Sequence, residues 1–172
     1  FTMNGRENDY EWAGPYLYSR QVVAVRSDSD IYTLQDLAGK VVAVQSTTKP
    51  EELFLNAEQN GLPRLRRLYS LQNRDLIYTT LIKGYADALA THESAIRQFM
   101  KDYSVEYRIL DEPLMTARLG VAFSKNRSDD LPQQLTEVFQ EMLADGTVRQ
   151  IVSRYLDDPE HYLDGLEDST HA

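Results

Sequence analysis

GKVVAVQSTTKPEELFL, residues Gly39 to Leu55, reads as a buried strand that runs straight into a helix. Val41, Val42, Ala43 and Val44 form an unbroken apolar run, the pattern of a strand covered on both faces. Ser46, Thr47 and Thr48 follow, then Pro50, Glu51 and Glu52. Proline suits a first helical turn, hydroxyls cap free amides, and acidic side chains complement the helix dipole. Such a junction presents uncapped N–H groups at the carboxyl edge of a sheet, where open α/β folds bind ligands. The same residues also make an ordinary βα turn that binds nothing.

Outward from this stretch the chain alternates strand and helix. Gln21 to Val25 is a short apolar run, and Thr33 precedes a brief helix holding Leu34 and Leu37, closed by Gly39. Glu51 to Gln59 reads as one helix stopping at Asn60-Gly61, and Leu68 to Leu71 as a short strand. Asp75 to Lys83 has helical spacing, Ala86 to Ala90 is a small buried strand, and Glu93 to Lys101 is a further helix. Tyr107 to Leu110 and Leu119 to Phe123 are strand candidates. Two apolar helical stripes then follow, one from Leu131 to Leu143 and one from Val148 to Leu156, separated by Asp145-Gly146. This order predicts an α/β sheet with extra helices elsewhere.

Composition narrows function. With 172 residues the chain can bury one good core or two modest lobes. The net charge is −9, and the only notable basic cluster is Arg64, Arg66 and Arg67, which argues against a nucleic acid or an anionic membrane as partner. Cysteine is absent, which excludes disulfides, thiolate metal sites and a cysteine nucleophile. No G-x-S-x-G, H-E-x-x-H or phosphate-loop motif is present, and neither metal nor cofactor is expected. His161 and His171 fall in a polar C-terminal tail that reads as exposed.

Several segments in order resemble the family 3 extracellular solute-binding proteins. They are TMNGRENDYEWAGPY, DIYTLQDLAGKVVAVQSTTKPEE, LIKGYADALATHE, LGVAFSK and LPQQLTEVFQEMLADGTVRQIVSRYL. Each is weak alone, but together they cover almost the whole chain. The resemblance implies a two-lobed α/β clamshell that closes around a small solute, most often an amino acid or related carboxylate. It implies delivery to an ABC permease outside the cytoplasm, in the periplasm or as a surface lipoprotein, with no catalysis. It assigns residues 1–23 and 121–172 to a partial lobe one and residues 24–120 to a complete lobe two. The family's first strands and helices would precede Phe1. The apolar faces around Trp12, Tyr16, Leu135, Phe139 and Ile151 are then expected to be covered by a companion segment, a second copy or swapped packing.

The resemblance also names site residues. Arg6 matches the arginine that pairs with the ligand carboxylate, for which a guanidinium fork is suited, and Thr2 matches a hydroxyl at the same ligand end. The Arg6 segment is one residue shorter than the family pattern. Gln45, Thr48 and Lys49 fall in the ligand-contacting loop, with Thr47 at the family glycine and Lys49 at a position usually Ser or Thr. Lys49 is either a carboxylate-seeking ammonium or a solvated lysine. His92 stands where the family usually has an Asp that accepts from the ligand ammonium, and Glu93 follows as a replacement carboxylate. Two further readings stay open: a sensor input domain ahead of a histidine kinase or diguanylate cyclase, and a cyclohexadienyl or arogenate dehydratase.

Overall fold

The computed structural model describes residues 1–166, so His171 lies outside the described residues. Six strands are seen: β1 (Glu11–Arg26), β2 (Val41–Gln45), β3 (Arg67–Leu71), β4 (Ala88–His92), β5 (Tyr107–Ile109) and β6 (Met115–Phe123). The α-helices are α1 (Lys49–Leu55), α2 (Arg74–Ile82), α3 (Glu93–Tyr103), α4 (Leu131–Ala144), α5 (Thr147–Val152) and α6 (Glu160–Leu163). No helix among the described residues is long and apolar enough to cross a membrane.

The sheet order is β3-β2-β4-β1-β5, with β6 paired to β1. β2 runs parallel to both neighbours, so Val42 faces Leu68 on one side and Ala88 on the other. β1 is antiparallel to β4, with Val23 opposite Ala90, and to β5, with Ala24 opposite Ile109. The unbroken apolar run of β2 therefore has the cause expected of it. Val42 and Val44 join Val23, Leu37, Phe54 and Leu110 on one face, and Val41 and Ala43 join Ile77, Leu81 and Ile96 on the other. Each such aliphatic side chain, fully buried, stabilises by roughly 1.5–3 kcal/mol.

The chain divides into two compact units. One is continuous, Arg20–Met115, and holds the parallel strands; the other combines Phe1–Ser19 with the segment from Thr116 onward. In the second unit Met3 N donates to Arg118 O at 2.9 Å, and Tyr16 packs on Phe139 with ring centroids 5.3 Å apart. Val138 and Ile151 remain 45% and 43% exposed there.

β6 begins at Met115 instead of Leu119, the helix α5 ends at Val152 instead of Leu156, and three further segments differ more from their sequence reading. β1 runs for 16 residues, far beyond the Gln21–Val25 run, because its first half is only half-buried and so lacks a continuous apolar signal. The helix read over Glu51–Gln59 ends at Leu55, and a 3-10 turn covers Ala57–Asn60. Asn56 leaves the helical conformation at φ −109° and ψ 38°, and its Nδ2 joins its own backbone N–H on Glu52 O, at 2.9 and 3.1 Å, so the α-helix is capped there. The C-terminal stretch read as a polar tail folds back. Tyr162, Leu163 and Leu166 are buried, the leucines against Leu143, Val148 and Val152, while His161 stays exposed 3.4 Å from Asp158.

Candidate functional site

Because β2, β3 and β4 are parallel, their carboxyl ends lie side by side, with Val44 beside both Ser70 and Ala90. Each strand leads into a helix, so Gln45–Thr48, Gln72–Asn73 and His92 share one edge of the Arg20–Met115 unit. At the β2 end, Thr48 Oγ1 donates to Gln45 O at 2.5 Å. Thr47 sits at φ 60°, a left-handed conformation costly for a β-branched residue. The sequence suggested uncapped amides here, but the protein supplies its own acceptor: Glu51 Oε2 takes Thr47 N at 2.6 Å, and Oε1 takes Ser70 Oγ. Lys49 Nζ lies 2.6 Å from Glu52 Oε1 on the exposed surface.

His92 ends β4. Gln21 Nε2 of β1 lies 2.8 Å from its Nδ1 and 3.0 Å from its Nε2. Gln21 itself is buried. An amide N–H needs a ring lone pair, which only the neutral imidazole has. Partial burial lowers the His92 pKa below its ordinary value, and the Arg74 guanidinium lowers it further. Arg74 opens α2, and its Nε reaches Gln45 Oε1 at 3.4 Å. Gln45, Arg74, His92 and Gln21 thus form one polar group across the edge.

Glu93 lies beside this group but below the surface, 1% exposed. Arg97 reaches its Oε1 with Nε at 2.9 Å and Nη2 at 2.7 Å, and Arg20 Nη1 stands 3.2 Å from Oε2. The carboxylate that sequence reading offered to a ligand ammonium already balances two cations of the protein. Thr2 and Arg6 belong to the other unit. Thr2 bridges to Leu119, while Arg6 is exposed, its backbone O accepting from Trp12 Nε1 at 3.1 Å. Among the described residues no cluster of His, Asp and Glu is arranged to hold a metal ion.

A family model described as "ABC transporter, phosphonate, periplasmic substrate-binding protein" matches residues 11–160. The chain belongs to the family 3 periplasmic solute-binding proteins of ABC transporters. It is 35% identical over 147 residues to the histidine-binding periplasmic protein of Escherichia coli K12, covering 81% of this chain and 54% of that one. A glutamate-binding protein of Corynebacterium glutamicum is 24% identical over 160 residues, covering 88% of this chain and 52% of that one. The chain therefore spans about half the length of the curated relatives it matches. Among solved structures, the substrate-binding protein of an amino acid ABC transporter superposes with TM-score 0.66 at 25% identity, over 91% of this chain and 68% of that one. An ancestral amino acid-binding protein, a precursor of cyclohexadienyl dehydratase, gives 0.68 at 22%, over 91% and 66%. The fold class of this solute-binding protein is thus the two-lobed α/β class of periplasmic binding proteins.

Sequence reading of this solute-binding protein missed Arg74, Gln21 and Arg20. One signal was present for Arg74: a cation at the first position of a helix opposes the dipole. Gln21 and Arg20 carry no such local mark, since only strand pairing brings them beside His92 and Glu93.

Proposed function

We propose that this solute-binding protein captures a small amino acid or related solute outside the cytoplasm and presents it to an ABC permease, without chemical conversion. The observation that carries the reading is the shared edge of β2, β3 and β4, where Gln45, Thr48 and His92 gather polar groups at parallel strand ends. Open α/β sheets bind ligands at such carboxyl ends. Lys49 belongs to the same loop and is a contact if it exchanges Glu52 for a ligand carboxylate. Thr2 and Arg6, on the other unit, are proposed as hydroxyl and guanidinium contacts for a ligand carboxylate. Glu93 holds Arg20 and Arg97 in place instead of meeting the ligand.

Calorimetry on the full-length gene product tests this. A panel of amino acids and small organic acids should contain a saturable ligand, and Arg6→Ala should weaken the best one at least tenfold, a loss of about 1.4 kcal/mol or more. Arogenate and prephenate should not be consumed. A panel without any ligand, or turnover of either compound, overturns the reading.

A further inference from the structure

Three of the carboxylates at the shared strand edge are committed to the protein's own donors. Glu51 accepts from Thr47 N and Ser70 Oγ, Glu52 pairs with Lys49, and Glu93 pairs with Arg20 and Arg97. Arg74 is different. Its only side-chain hydrogen bond among the described residues is a long one, 3.4 Å, to the neutral amide of Gln45, and no carboxylate there lies within ion-pair distance of it. Asp75 is adjacent in sequence, but consecutive helix positions do not face each other. A guanidinium stays charged at any physiological pH, and at the first position of α2 it adds to the positive end of the helix dipole. Its partner Gln45 is a neutral amide, and a neutral imidazole at His92, held by Gln21, contributes no opposing charge.

We infer that Arg74 is a specificity-determining residue, giving this edge a preference for a solute group that carries an oxyanion over one that carries an ammonium. The inference rests on the solute-binding reading above and names the ligand chemistry the edge selects. An oxyanion finds an exposed guanidinium fork at the strand edge, held only by the Gln45 amide oxygen. An ammonium finds like charge. Carboxylate and phosphonate share this chemistry and differ in charge and in the number of acceptor oxygens.

The test is calorimetry of the full-length protein with L-glutamate, its amide L-glutamine, and its phosphonate analogue 2-amino-4-phosphonobutyrate, alongside L-lysine. The wild type should bind an oxyanion-bearing member at least tenfold more tightly than glutamine and lysine. The better of the first and third compounds identifies carboxylate or phosphonate. Arg74→Gln should reduce that preference at least tenfold, Arg74→Lys should keep part of it, and Arg74→Glu should shift it toward lysine. A ratio unchanged in Arg74→Gln, or a wild type that prefers lysine, overturns the inference while leaving solute binding intact. Absence of binding by these compounds and by the wider panel overturns both.

Discussion

Arg20 Nη1 stands 3.2 Å from Glu93 Oε2 while Arg97 Nη2 holds Oε1 at 2.7 Å, so β1 and α3 share one buried carboxylate. Removing one member of a buried ion pair costs about 3–5 kcal/mol. The Arg20 and Arg97 side chains keep 15% and 32% exposure, which lets water screen what is left. Glu93→Gln is therefore expected to lower unfolding free energy by about 1–3 kcal/mol, read as a lower urea midpoint. An unchanged midpoint would show the triad to be energetically silent.

His92 sets an acid limit. Its folded pKa lies below the ordinary 6.5, chiefly through burial and secondly through Arg74. As pH falls below 6.5, the unfolded chain takes up a proton that the native state resists, so stability declines and then levels off once the folded group protonates too. Above that pH the group contributes no slope. Urea midpoints measured from pH 7.5 down to about 5 should fall in wild type and flatten in His92→Gln. Equal slopes would remove His92 from the account.

Thr47 is the strained residue of the β2–α1 junction. A non-glycine residue at φ 60° carries roughly 1–3 kcal/mol of strain, which the Thr47 Oγ1 bond to Ser46 O at 2.7 Å offsets only in part. Thr47→Gly should stabilise by about 0.5–1 kcal/mol after the added freedom of the unfolded chain is counted. Differential scanning calorimetry should show a rise in Tm of about 1–4 °C. Thr47→Val, which keeps the strain and loses the bond, should move Tm downward.

Gly120 is constrained by crowding. A Cβ there would meet Met3 Sδ at 2.8 Å and Ala13 O at 2.9 Å. The thioether can move but the carbonyl belongs to β1, so Gly120→Ala should cost about 1–3 kcal/mol. The same calorimetric scan checks it, and a Tm within 1 °C of wild type would contradict the contact.

How much of this was legible beforehand depends on how local each cause is. The β2 run and the α1 start could be read because burial on both faces and proline at a helix start leave marks within a few residues. The fold of residues 160–166 was not, since Tyr162, Leu163 and Leu166 become apolar partners only once Leu143, Val148 and Val152 are beside them. The same holds at the strand edge. His92 and Glu93 could be singled out as residues, but their opposite fates, one at the surface and one beneath two arginines, come from β1 partners about 70 positions earlier. Arg74 was overlooked because an exposed arginine is the commonest place for that residue.

The unit Arg20–Met115 is a single uninterrupted piece of chain, whereas the other unit is assembled from both sides of it. During synthesis, every residue of the first can be in place before Arg118 exists to pair with Met3. The parallel core of β2, β3 and β4 can thus form while the ribosome is still making the far half of its companion, and the Met3–Arg118 pairing must close a loop of more than a hundred residues.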